Sequence, residues 1–165
     1  SKYIDVDSFV DWYIINEISK NNDAIFFSSV YMNYTSGGKL KMGPLWDFDI
    51  AFGNINYNNN EKIEGFWIKN ALWIERLFED QKFVDRVKTR YKYFYNNKNF
   101  IIEKARTYSN QIEQPRINNE SVWNILGKYI WPNYFIGNSF DDEQIYFENW
   151  INDRMDWLNS EISKL

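Results

Sequence analysis

Neither cysteine nor histidine occurs anywhere in this 165-residue chain. That removes disulfide frameworks, thiolate nucleophiles, Ser-His-Asp triads, imidazole bases and ordinary zinc sites together. Any catalysis must therefore use carboxylates, lysine, tyrosine or hydroxyls. Any bound metal must be held by hard oxygens, which selects Mg²⁺, Mn²⁺ or Ca²⁺. Positive charge is also short: 19 Lys and Arg stand against 23 Asp and Glu, a net charge of −4. That sign is wrong for gripping a phosphate backbone by counterion release, so no nucleic-acid partner is expected. Apolar runs are only a few residues long, far below the roughly 20 needed to cross a bilayer, so no membrane span is expected. The opening SKYIDVDSF has neither the basic nor the apolar region of a signal peptide.

What the chain has in abundance is aromatic side chains: eight Trp, twelve Tyr and thirteen Phe, one residue in five. Most fall at helical spacing, which points to core packing; a stacking platform for sugars or bases is the competing use. With 44% hydrophobic and 25% charged residues the chain has the composition of a folded domain, and residues 1–165 are expected to form one domain.

The periodicity predicts a helix over residues 8–20, started by Ser8 with Asp11 as an imperfect capping box. AIFF and SSVYMNY then read as extended, and Gly37-Gly38 separates SVYMNY from KLKMG as a hairpin. LWDFDIAF alternates Trp46, Phe48 and Ile50 with Asp47, Asp49 and Ala51, which predicts a strand before an Asn-rich loop over 53–60. Helices are predicted over 66–78, from Asp80 onward through Phe83, Val87, Tyr91 and Phe94, over 99–114 up to Pro115, over 119–127, and from Ser139 to about Ser163. Trp73, Phe83, Tyr91, Phe94 and Leu158 are the expected core positions. The fold class is α+β, mostly α-helical, with a small β segment between residues 28 and 52.

Three groups of residues carry candidate chemistry. On a strand, Asp47 and Asp49 point to one side with Cα atoms roughly 6.6 Å apart, so they either converge on a cation or form a solvated strand face. Asp23 lies in a polar stretch between a helix and an apolar run, as a reactive loop residue or as an Asx-turn. Ser28, five residues later, is a neutral ligand to metal or phosphate, or a strand-edge serine. Lys20 either neutralises phosphate or is a helix C-terminal cation. Taken together, the order is helix, Asp, a polar residue five positions on, hairpin, then Asp-Phe-Asp. Protein kinases run in that order, with a catalytic Asp, an Asn five residues later, a hairpin and Asp-Phe-Gly.

The string NNDAIFFSSVYMNYTSGGKLKMGPLWDFDIAFGN resembles the CotH family, the spore-coat protein H kinases and their relatives in bacterial surface and cellulosome-associated proteins. WDFD, with Gly-Pro before it and Phe-Gly after it, is the most specific part; WIERLFEDQKFVDRVKTRY and ENWINDRMDWL also look like that family. The resemblance implies a protein-kinase-like fold that uses ATP and Mg²⁺ or Mn²⁺ to phosphorylate a protein substrate, on a spore coat or cell surface. It implies Asp23 as catalytic residue and Asp47 and Asp49 as metal ligands, without dividing the roles between those two. Ser28 and Lys20 are the candidate nucleotide contacts. No Gly-x-Gly-x-x-Gly and no Val-Ala-Ile-Lys-like strand occurs, so the chain is expected to be the large-lobe part of such a kinase, with the small lobe missing. The rival expectation is a non-catalytic surface or scaffold module, a pseudokinase or a carbohydrate binder using Trp131, Tyr134 and Phe135.

Overall fold

The computed structural model describes residues 1–26 and 28–165. Among them are six α-helices, α1 Val6–Ser19, α2 Leu72–Leu77, α3 Gln81–Asn96, α4 Lys98–Gln111, α5 Glu113–Val122 and α6 Phe140–Ser163, with a 3₁₀ turn at Asn22–Ala24. The described sheet is one antiparallel pair, β1 Met32–Asn33 and β2 Lys41–Met42, with Met32 opposite Met42 and Asn33 opposite Lys41. The molecule is thus α+β and mostly helical. Among the described residues no helix is long and apolar enough to cross a membrane.

The core lies where α1, α3 and α6 meet. Phe9, Tyr13 and Ile14 of α1, Phe83, Val87 and Tyr91 of α3, and Trp150, Ile151, Met155 and Leu158 of α6 are all buried in one cluster. Of the expected core positions, Phe83, Tyr91 and Leu158 are buried and Phe94 packs against the cluster half-buried. Trp73 is not in the core. It is 55% exposed, because α2 begins at Leu72 and turns Ile74 inward instead.

Local signals set the ends of the long helices. Ser139 accepts from the Asp142 N–H while the Asp142 carboxylate accepts from the Ser139 N–H, closing both arms of the capping box expected at α6. α3 begins, as expected, at Asp80, which accepts from the Lys82 N–H. α1 starts earlier than expected: Asp5 is its cap, and the Ser8 hydroxyl instead donates to the Asp5 carbonyl and accepts from the Met42 N–H. Pro115 does not stop a helix. It sits in the first turn of α5, where a missing N–H costs little, so the expected helix over 119–127 gives way to Glu113–Val122.

Two larger corrections concern residues 43–71. The WDFD stretch is not a strand: residues 43–48 carry no regular structure and Asp47 has a left-handed φ of 63°. The predicted helix over 66–78 shrinks to six residues because the Glu17 carboxylate takes the N–H groups of Trp67, Ile68 and Lys69 at 2.7 to 3.0 Å. Three consecutive amides held by one carboxylate are withheld from the i−4 carbonyls that a helix interior would need. Of the AIFF stretch expected to be extended, Ala24 closes the 3₁₀ turn and Phe26 has a left-handed φ of 64°; Phe27 lies outside the described residues.

Candidate functional site

Asp23 follows α1 directly, and the reason it turns there is local. Lys20 ends the helix in a left-handed conformation, and the Asn21 side chain then accepts from the Asp23 N–H, closing the first turn of the 3₁₀ segment. Asn21 is itself buried and donates to the Asn16 side chain at 3.2 Å, so the turn is anchored in α1. Asp23 keeps its carboxylate half-exposed, with the Asn22 amide donating to it at 3.4 Å.

The WDFD segment comes back onto this turn through polar contacts. The Ser29 hydroxyl donates to the Asp47 carboxylate at 3.2 Å, and the Asn21 amide donates to the Asp47 carbonyl at 3.4 Å. Trp46 is not the core residue that alternation implies; it is 48% exposed, with its indole N–H donating to the Ser29 carbonyl at 2.9 Å and its ring edge-on to Tyr31. Trp46, Ser29 and Asp47 therefore form a closed loop of contacts. Downstream, the Asn22 N–H donates to the Ile50 carbonyl and the Phe52 N–H to the Ser19 carbonyl, which stitches the end of α1 to the chain just after Asp49.

Asp49 is exposed, and both it and Asp23 are near enough to Tyr57 to help burial raise that phenol's pKa. The recess bounded by Asn21, Asp23, Ser29, Pro44 and Trp46 measures about 10 Å³, no more than one water's worth. Asp47 and Asp49 are exposed and Asp23 is half-exposed, so the three carboxylates are open to solvent. A far larger groove, about 570 Å³, lies elsewhere between α1 and α3; there Arg86 and Arg90 are paired with Asp7 and Asp11, so its two arginines are already engaged.

Ser28 is exposed, and it is the neighbouring Ser29 that touches Asp47. Lys20 is almost wholly buried. Its ammonium donates to the carbonyls of Asn59, Lys62 and Glu64 at 2.8, 2.8 and 3.0 Å, which uses all three of its protons within the fold. Burial, with Arg154 nearby, lowers its pKa to about 8. Asp47 and Asp49 supply the hard oxygen donors that Mg²⁺ or Mn²⁺ prefers. Among the described residues no three acidic side chains converge on one point, and without the strand the alternation no longer turns Asp47 and Asp49 to one side; two carboxylates would fill only part of a coordination shell.

Backbone strain is concentrated in the same region. Of the non-glycine residues with left-handed φ, Lys20, Phe26, Ser29, Asp47, Phe52, Asn58 and Asn59 all fall between residues 20 and 59. Such conformations cost on the order of 1 kcal/mol or more each and persist where surrounding contacts over-determine them.

The family model described as CotH kinase protein matches residues 1–158. The chain belongs to the CotH family. No curated protein and no solved structure gives a significant match to it. The CotH match therefore rests on a sequence pattern that runs from before α1 into α6 and takes in both the Asp23 turn and WDFD.

Sequence reasoning missed the buried polar frame at the end of α1. Glu17 and Arg154 are fully buried and paired at 2.7 Å, and Arg154 also donates to the carbonyls of Glu17, Ile63 and Gly65. A signal was present. Glu17 stands among apolar residues of α1, and Arg154 lies on the stripe of Ile151, Met155 and Leu158, so each is a charge at a core phase. Ser29 had no comparable signal beside Ser28.

Proposed function

We propose that the chain is the large-lobe part of a CotH-type kinase that, together with a nucleotide-covering small lobe, transfers the γ-phosphoryl group of ATP to serine or threonine of a protein. Asp23 orients the acceptor hydroxyl and takes up its proton as the oxygen attacks phosphorus. Asp47 and Asp49 are the residues that would hold Mg²⁺ or Mn²⁺; bound there, the cation supplies positive charge opposite the β- and γ-phosphates. Ser29 and Trp46 keep the Asp47 carboxylate in one orientation. The absence of histidine and cysteine is no obstacle, since phosphoryl transfer depends on positioning and electrostatics.

The observation that carries this reading is the pair of contacts from Ser29 and Asn21 to Asp47, which join the Asp23 turn to the WDFD segment. The openness of this site supports the small-lobe part of the proposal: a 10 Å³ recess encloses no nucleotide. Placement on a spore coat or cell surface belongs to the same proposal and follows from the family alone.

A second reading, a non-catalytic carbohydrate-binding module, is favoured by Trp131 and Tyr134, which are 69% and 55% exposed. Phe135 does not join them; it is half-buried and stacked on Tyr146 at 4.4 Å. Thermal shift on the full-length protein separates the two. The kinase reading predicts a joint stabilisation by Mg²⁺ and ATP that Asp47→Asn and Asp49→Asn reduce; stabilisation by glycans alone, with none from nucleotide, supports the module.

A further inference from the structure

The Asn-rich loop contributes a contact that motif reasoning does not use. The Asn58 amide donates to the Asn22 side-chain oxygen at 3.0 Å, and the Asn22 amide in turn donates to the Asp23 carboxylate at 3.4 Å. An amide with its oxygen engaged cannot flip without breaking that bond, so Asn58 fixes which end of Asn22 faces Asp23. The loop is gripped immediately after this contact. The Lys20 ammonium holds the Asn59 carbonyl at 2.8 Å, and the buried Asn60 amide donates back to the Lys20 carbonyl at 3.0 Å. Asn58 and Asn59 are consecutive left-handed residues, with φ of 59° and 55°, a conformation asparagine tolerates better than most.

We propose that Asn58 and Asn22 are positioning residues for Asp23, with the Lys20 ammonium serving as a built-in cation that holds the Asn58 loop in place. The catalytic consequence rests on the kinase reading; the geometric one does not. Asn22 is buried and lies next to Asp23, whereas Asn58 is exposed and far off in sequence, so Asn58 can be altered without opening the core. Lys20 has no proton left for a phosphate in this arrangement, and its influence on the site runs through the loop.

Asn58→Gly and Asn58→Asp both tolerate the left-handed backbone and both remove the donor. In each variant of this chain the carboxyl ¹³C signal of Asp23, assigned by its loss in Asp23→Asn, should move while the melting temperature stays within a few degrees of wild type. In the full-length protein, kcat for phosphotransfer should fall on the order of tenfold with the KM for ATP unchanged. An Asp23 signal that stays in place in both variants overturns the proposal. A wild-type protein without phosphotransfer activity refutes the kinase reading and leaves the Asp23 signal to decide the relay.

Discussion

Helix α6 and the segment from residue 43 to 71 are held in place by different physics. α6 carries its instructions locally: a capping box at Ser139, acidic residues in its first turn and an apolar stripe through Ile151, Met155, Leu158 and Ile162. Residues 43–71 have no such instructions and form no regular element, yet Ala51, Ile55, Asn60 and Ile68 are buried. Between residues 59 and 69 many of their backbone groups are satisfied instead by charged side chains sent from α1 and α6. Glu17 takes three consecutive amides, while Lys20 and Arg154 donate to the carbonyls of residues 59, 62, 63, 64 and 65. The difference teaches that a buried loop needs its peptide groups paired from outside, and that ionised side chains are strong partners for them.

The largest expected effect comes from breaking that frame. Arg154→Leu leaves the Glu17 carboxylate buried without its cation, and the expected loss is about 3–5 kcal/mol in urea titration. Phe83→Ala, in the helical core, should cost a similar about 3–5 kcal/mol by opening a cavity. The two are told apart by hydrogen exchange: Arg154→Leu should deprotect the amides of Trp67, Ile68 and Lys69 beyond the global change, whereas Phe83→Ala should lower protection throughout. A loss below about 1 kcal/mol for Arg154→Leu would mean that the loop is held by its apolar contacts instead.

These two kinds of order differ in how far the sequence betrays them. α3 and α6 were readable because cap, period and apolar face agree within one stretch of chain. The alternation in the WDFD segment is real and predicts a strand, while its conformation is set by Asn21 and Ser29, 26 and 18 positions away from Asp47. Asp23, Trp46, Asp47 and Asp49 are legible as a motif; Ser29, Asn58 and the contact that Trp46 makes are not, since those roles exist only after the chain has folded back. The short α2 has the same origin, in amides claimed by Glu17 from 50 residues upstream.

A smaller effect is expected at a local signal: Ser139→Ala should cost about 1 kcal/mol by removing one arm of the capping box. The pH dependence should show both regions at once. Burial lowers the Lys20 pKa to about 8 from the ordinary 10.5, so between those values the unfolded chain holds more protons and stability rises with pH, by at most about 1.4 kcal/mol per unit. Above pH 10 the sign reverses. Burial raises the phenols of Tyr13, Tyr91 and Tyr146, the last to about 12, so the unfolded state loses protons first and stability falls. Lys20→Met should remove the rise and leave the fall.

The kinase reading is tested most directly by following radiolabelled phosphate from ATP in the full-length protein and in its Asp23→Asn form, with Mg²⁺ or Mn²⁺ and a broad panel of protein substrates. Incorporation into serine or threonine by the wild type, reduced by orders of magnitude in Asp23→Asn with the fold and nucleotide affinity intact, is the predicted result. Equal incorporation by both would discard Asp23 as the catalytic residue, and no incorporation by either would contradict the kinase function itself.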